Sequence, residues 1–106
     1  MSMTKGFVVA ALALSVAACS WVKLTEQGED VRVFEPSQVA NCERVGKTTV
    51  RTSATAAGLA RHADKVQTEL DTLARNSAVD IGGDTVVPLD KPVDGVQIYE
   101  VYRCLR

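Results

Sequence analysis

The sequence predicts a small α+β domain with the order strand, helix, strand, strand, in which one helix packs on a mixed sheet of three or four strands. Three observations predict it: a segment with helical apolar spacing, flanking runs rich in β-branched residues, and two cysteines, Cys42 and Cys104, at the outer ends of those runs. The 106 residues are enough for one small core. A core of this size often needs a covalent staple, and one disulfide is expected to supply it.

Two strands are predicted before the helix. The alternating residues "VRVF" (31–34) form a short strand that Pro36 ends and that joins the sheet at an edge. Residues 42–52, "CERVGKTTVRT", are rich in β-branched side chains and form the first main strand. Gly46 interrupts this strand and marks a bulge. Residues 53–62 are predicted as a loop that leads into the helix.

The helix is predicted from apolar residues that recur at spacings of three and four between Ala63 and Ala78. Gly82 and Gly83 follow and provide the left-handed position at which a helix stops. The rest of the chain indicates a short strand, a turn-rich loop and a last strand, which are "DTVVPL", "DKPVDG" and "VQIYEVYRC".

This order predicts which strands are neighbours. A helical crossover makes the first and second main strands parallel, and a short loop makes the last strand antiparallel to them. Cys42 and Cys104 then lie at the same end of the sheet, and a bridge between them requires adjacent strands. The last strand is therefore expected in the centre, with Pro88 on an edge strand. The alternative is two free thiols with redox or metal-binding chemistry, although the chain has no CxxC and His62 is its one histidine.

Residues 1–18 have the features of an export signal. Lys5 precedes an apolar run, residues 6–14, that is too short to span a bilayer. The following "VAAC" resembles the bacterial lipobox, which implies a diacylglyceryl group on the Cys19 thiol, cleavage after Ala18 and acylation of the new amino terminus. The alternative is an ordinary secretory signal in which the cysteine occurs by chance.

The domain boundaries follow from this resemblance. Residues 19–30 are expected to be a lipidated tether, and residues 31–106 a single periplasmic domain. Ser20 stands where an aspartate retains such lipoproteins in the inner membrane, which implies an outer-membrane anchor facing the periplasm. Membrane lipid, reached through acylated Cys19, is the first expected partner.

Charge gives no indication of nucleic-acid binding. The leader holds one of the twelve basic residues and none of the thirteen acidic ones, which leaves the exported chain with a net charge of −2. Nucleic-acid binding usually requires a clustered basic face. We therefore expect no nucleic-acid partner.

No motif predicts catalysis or a cofactor. Ser53, His62 and Asp64 could be imagined as a triad, but a lone, partly exposed histidine is the simpler interpretation. Asp80 and Asp84 flank the glycines and could hold a cation, although capping and solubility explain them as well. The glycines follow a helix, whereas an anion-binding loop places them before one.

The segments "NCERVGK", "ARNSAVDIGGDTVV" and "YRC" resemble an uncharacterised family of small Gram-negative lipoproteins, known as a domain of unknown function. A weaker similarity, through "NSAVDIGGDTVV" and the closing cysteine, leads to the outer-membrane sensor lipoprotein of the Rcs envelope-stress phosphorelay. That sensor has more than one disulfide and a longer tether. The positions that match the uncharacterised lipoprotein family would be Cys42, Asn76, Ala78, Gly82, Gly83 and Cys104.

Two functions are expected from these observations. The first is a non-enzymatic interaction or envelope-stress-related protein of the outer membrane, with an envelope protein as partner. The alternative is a module of the cell envelope that binds a small ligand or metal on the sheet face that the helix leaves uncovered.

Overall fold

The computed structural model of the protein describes residues 22–105. The expected leader and the lipidation site Cys19 lie outside these residues. A short 3₁₀ helix, Gln27–Asp30, precedes the first strand, and a second one, Pro36–Gln38, lies between the first two strands. The strands and the helix are, in chain order, β1 (Arg32–Val33), β2 (Glu43–Arg51), β3 (Thr55–Ala56), β4 (Leu59–Ala60), α1 (Ala63–Asp80), β5 (Thr85–Pro88) and β6 (Val96–Arg103).

The main sheet has four strands in the order β1, β5, β6, β2. β1 is parallel to β5, and β6 is antiparallel to both β5 and β2. The mixed α+β fold is confirmed, with the last strand between the other two main strands and the "VRVF" strand at an edge. Cys42 and Cys104 form the disulfide, and their Cα atoms are 4.5 Å apart.

The position of Pro88 corrects one expectation. β5 is not an edge strand along its whole length, because β1 pairs with Thr85 and Val86. β1 then ends, and the amide of the next residue, Phe34, makes the last hydrogen bond to β5, at the carbonyl of Val86. Pro88 lies beyond this point, where no strand of the described residues pairs on that side, so its missing N–H leaves no gap in a ladder.

The core lies between α1 and one face of the sheet. The helix buries a stripe that narrows toward its end, and its two fully buried alanines allow a close approach to the strands. The strands contribute apolar side chains together with the ring of Tyr99. The members of this core are Val31, Val50, Val66, Leu70, Ala74, Ala78, Val86, Tyr99 and Val101.

Two glycines end α1 for different reasons. Gly82 has φ +82°, and its amide bonds the carbonyl of Val79 at 3.1 Å. The amide of Gly83 bonds the carbonyl of Ala78 at 2.8 Å, which completes a Schellman motif. A Cβ on Gly83 would lie 2.2 Å from Cγ1 of Val101, so Gly83 serves the close packing of the helix end on β6.

The segment 53–62, expected as a loop, contains a two-stranded hairpin, β3–β4. Its turn residues, Ala57 and Gly58, both have positive φ, 53° and 78°. That is the pattern of a type I′ turn. Alanine rarely adopts this conformation, which is why the sequence does not indicate a hairpin here. The bulge expected at Gly46 is present as a register shift between Arg44 and Gly46.

Residues 22–30 differ from the tether expected for them. Gly28 is buried, and the segment packs against α1 with its 3₁₀ helix, Gln27–Asp30. The hydrogen bonds that hold this segment on the helix come mainly from its backbone. Contacts with the domain therefore begin at Lys23 rather than at residue 31.

Candidate functional site

The sheet face away from α1 is the first candidate surface. Along β6, Tyr99 and Val101 face the helix, so Ile98, Glu100 and Tyr102 face the other way. Ile98 is 43% exposed at the centre of this face. Val87 also points to this side but is buried, and Val39, in the connection between β1 and β2, is buried too. We infer that this connection covers the β5 side of the face and leaves the β2 side open.

Basic residues line the open side. Arg44, Lys47 and Arg51 alternate along β2 on this face and are all exposed. Arg44 forms an ion pair with Glu100 on β6. Lys47 is the cross-strand partner of the same Glu100, so these two basic side chains share one acidic neighbour, whereas Arg51 lies opposite Val96. At the opposite edge of the sheet, on β1, the guanidinium of Arg32 lies 5.9 Å from the centre of the Phe34 ring.

A cleft of about 500 Å³ lies at the start of α1, beside the loop between β5 and β6. Arg61, Asp64 and Gln67 line its helix side, and Lys91 and Gly95 line its loop side. The cleft therefore combines both signs of charge with an amide and short apolar walls. It is the second candidate surface, and it is separate from the open sheet face.

A half-buried ion pair stiffens the wall of this cleft. Arg61 binds Glu69 through two nitrogens, and its side chain also donates to the carbonyl of Ser53 at 2.9 Å. The hydroxyl of Thr52 donates to Glu69 at 2.7 Å. The hydrogen bond from Arg61 outweighs desolvation and lowers the pKa of the Glu69 carboxyl. Glu69 thus joins the helix to the hairpin side of the domain as a carboxylate.

Tyr99 forms a polar network inside the core. Its hydroxyl contacts a carboxylate oxygen of Asp71 and Oε1 of Gln97, the latter at 2.8 Å. Nε2 of Gln67 lies 2.8–3.1 Å from all three oxygens. Burial raises the pKa of Tyr99 above its ordinary range, and Asp71 raises it further by its hydrogen bond and negative charge.

This raised pKa predicts unfolding in alkali. The stabilisation is complete below the pKa of an unfolded tyrosine, about 10, and is lost as pH rises from there toward the folded pKa. We expect the free energy of unfolding to fall by up to about 1.4 kcal/mol per pH unit above pH 10. Tyr99→Phe should remove this slope and lower stability at pH 7 by about 1–3 kcal/mol. Urea unfolding from pH 7 to 11, with tyrosinate absorbance, measures both effects.

Tyr102→Phe is the matched control, because Tyr102 lies on the other face of β6 and is partly exposed. This variant should keep most of the alkaline slope. An equal loss of slope in the two variants would contradict the assignment of the transition to Tyr99.

Residues 23–31 are held on α1 by two neighbouring side chains. Oδ1 of Asn76 accepts from the amide of Thr25 at 2.9 Å, and its Nδ2 donates to the carbonyl of Lys23 at 2.9 Å. Arg75 donates to the carbonyls of Glu29 at 3.1 Å and Val31 at 2.8 Å. We call residues 23–31 the docked segment. The sequence gives no signal for these contacts, because the partners are 44–53 residues apart.

Asn76→Ala should release the start of the docked segment. The lost bonds to Lys23 and Thr25 are worth about 1–2 kcal/mol together, which makes opening of this segment roughly ten times more frequent. Hydrogen exchange at the Thr25 and Gly28 amides and tryptic cleavage after Lys23 should both accelerate, while exchange in β6 stays slow. Asn76→Asp keeps the acceptor and loses the donor, so it should have an intermediate effect. Cleavage at the wild-type rate in Asn76→Ala would contradict the contacts.

Asp84 binds the chain next to the disulfide. Its carboxylate accepts from the amides of Cys104 and Leu105, each at 2.8 Å, and from the hydroxyl of Thr85 at 2.9 Å. Burial would raise the pKa of Asp84, but these hydrogen bonds outweigh burial and lower it. The carboxylate is therefore used to hold the end of β6, and Asp80 is exposed on the last turn of α1.

The residues considered for catalysis lie on the surface of the domain. His62 and Asp64 are exposed at the start of α1, and Ser53 is exposed before the hairpin. Within residues 22–105, no group of three or more His, Cys, Asp and Glu side chains is placed to hold a metal ion. In the same part of the chain, no helix has the length and apolarity needed to cross a membrane.

The sequence contains a signal for the basic row of β2, which is Arg44, Lys47 and Arg51. The run "VGKTTVR" alternates between residues that face α1 and polar or basic ones that face outward, and this alternation is typical of a strand with one solvated face. This alternation identifies the basic row of β2, but it does not show that β2 is an edge strand of the sheet.

Comparison with curated proteins and with solved structures finds no match to this chain. One family matches residues 22–104, which is nearly all of the described chain. The match includes both cysteines of the disulfide, the docked segment, the two glycines that end α1 and the basic row of β2. The chain belongs to the family described as a domain of unknown function, DUF4156.

Proposed function

We propose that the protein is a lipoprotein, anchored through acylated Cys19 to the periplasmic side of the outer membrane, whose domain is a non-enzymatic interaction protein with an envelope-stress-related role. The observation that carries this proposal is the bond between Cys42 and Cys104. Structural disulfides persist in oxidising compartments, so the domain is suited to the periplasm. Because these are two of the three cysteines, Cys19 is left as the single thiol, and it stands at the end of "VAAC".

The described polar groups support an interaction role over catalysis. Among residues 22–105, every fully buried side-chain nitrogen or oxygen has a hydrogen-bond partner. Arg61, Glu69 and Asp84 are engaged in holding elements of the fold together. The open sheet face, by contrast, carries exposed basic side chains with few acidic neighbours.

The first test is the intact mass of the protein purified from membranes, with and without reduction and thiol alkylation. We expect a mass that begins at acylated Cys19, with Cys42 and Cys104 alkylated only after reduction. Cys19→Ser should abolish the lipid-modified form. A chain that retains residues 1–18, or one cleaved without lipid, would contradict the anchor, and free Cys42 and Cys104 would contradict the disulfide.

The interaction role has its own test. A photo-crosslinking amino acid at position 49, on the open face, should give discrete protein adducts in growing cells, and the same group at exposed position 80 should not. Absence of adducts at position 49, in protein shown by mass to be anchored, would contradict the interaction role while leaving the anchor standing.

The second candidate function, binding of a small envelope ligand, is favoured by the cleft beside α1. Its mixture of charges fits a zwitterionic or small anionic molecule better than an apolar one. Thermal unfolding in the presence of amino acids, citrate, inorganic phosphate and divalent cations tests it. A stabilisation that Lys91→Glu removes would support the cleft, and no shift with any of these compounds would contradict it.

A further inference from the structure

We propose that the outer edge of β2 is a docking strand for an extended acidic segment of an envelope protein, which adds to the sheet beside β2. The inference rests on the proposed interaction role and names the chemistry of the partner. It concerns a strand edge and the charges beside it, rather than the cleft or the lipid anchor.

Within residues 22–105, the backbone of β2 has a side without a partner strand. The carbonyl of Ile98 accepts from Leu89 on the β5 side, so the peptide groups of Ile98 point away from β2. The cross-strand pairs of an antiparallel ladder alternate. Thr49, opposite Ile98, therefore directs its own N–H and C=O outward. Lys47 and Arg51 lie two residues on either side of Thr49, so their peptide groups also face the outer edge.

This edge is long enough and open enough to accept a strand. β2 has nine residues, whereas β1 at the opposite edge has two. In the described part of the chain, the sheet order ends at β2, and the hairpin β3–β4 forms a separate sheet. Peptides that add to such an edge obtain affinity from main-chain hydrogen bonds and specificity from side chains on one face.

Charge selects the occupant. Lys47, Thr49 and Arg51 present both their outward peptide groups and their exposed side chains to an added strand. A partner residue opposite Lys47 or Arg51 is therefore favoured if it is Asp or Glu. A second copy paired antiparallel about Thr49 would place Lys47 opposite its Arg51, and such like-charge pairs are destabilising. The acidic segment is thus favoured over self-association.

Binding of a labelled (Thr-Glu)₄ peptide to the full chain as purified from cells tests the proposal by fluorescence anisotropy. We expect saturable binding that weakens with salt, with (Thr-Lys)₄ at least tenfold weaker. Methylation of each Glu amide nitrogen should also weaken binding at least tenfold, because those amides face β2. Thr49→Pro should have a similar effect, since proline removes an outward donor while the ladder to β6 is kept. Thr49→Val retains the N–H and should bind as wild type.

If Thr49→Pro does not fold, the double charge reversal Lys47→Glu with Arg51→Glu tests the proposal in its place. This variant should bind (Thr-Lys)₄ in preference to (Thr-Glu)₄. No binding, or equal binding of the methylated peptide, would overturn the proposal. A dimer that forms with rising protein concentration and disappears in Thr49→Pro would overturn it in favour of a second copy. The measurement uses whichever processed form the intact mass shows, so failure of the lipid anchor and failure of the docking strand are separate results.

Discussion

Replacing Cys42 and Cys104 together by serine is expected to lower the free energy of unfolding by about 4 kcal/mol. The bond closes a separation of 62 residues, which includes nearly all of the sheet and the helix. In the chain-entropy account, a loop of this length strongly restricts the unfolded chain. Small domains have total stabilities of about 5–15 kcal/mol, so the variant should be substantially less stable at 37 °C. Urea unfolding of the double serine variant and of the oxidised wild-type protein measures the difference.

Reduction is the matched control for this variant. Wild-type protein in excess reductant should lose a similar free energy, whereas the double serine variant should be insensitive to reductant. Because Asp84 holds the amides of Cys104 and Leu105, the end of β6 should remain near its position without the bond. A loss below about 1 kcal/mol would contradict the account in which the bridge restricts the unfolded chain.

Gly95→Ala is expected to have the second largest effect. Gly95 has φ +76°, and with Asp94 it forms the tight turn that leads into β6. A Cβ added there would lie 2.0 Å from the carbonyl oxygen of Thr52, and this backbone cannot rotate away. Overpacking and left-handed strain together predict a loss of about 2–5 kcal/mol. Thermal or urea unfolding measures it.

Gly58→Ala separates the two causes. Gly58 has nearly the same φ, +78°, but a Cβ there meets no atom within 4 Å. This variant carries the conformational strain alone and should lose about 1–2 kcal/mol. If both alanine variants lose the same free energy, close approach to Thr52 does not determine the requirement for Gly95.

Local patterns predict most of this fold. The spacing of Val66, Leu70 and Ala74 is sufficient for the helix, and Gly82 is sufficient for its end. The strand order also follows from the sequence, because a crossover, a short loop and one cysteine pair allow few arrangements. β1 is the exception in detail, since its two residues pair only with the first half of β5.

The contacts that the sequence does not predict are long-range and polar. Asn76 binds Thr25 and Lys23, which lie 51 and 53 positions earlier in the chain, and no periodicity in the sequence marks such pairs. The hairpin β3–β4 is missed because Ala57 takes a conformation that alanine rarely adopts. For the candidate surface, the alternation on β2 is visible in the sequence, but its outer position depends on the order of all four strands.

If the protein is anchored as proposed, the docked segment determines how far the domain can travel from the membrane. With lipid on Cys19, four residues separate the membrane from Lys23, a reach of about 14 Å at full extension. Twelve residues would separate it from Val31 if the docked segment were released, a reach of about 40 Å. In the proposed lipoprotein, the bonds of Asn76 and Arg75 would keep the domain within a thin layer at the bilayer, where partners held in the same membrane would meet it at a raised effective concentration. Release of the docked segment would lower this effective concentration and would let the domain reach partners deeper in the periplasm.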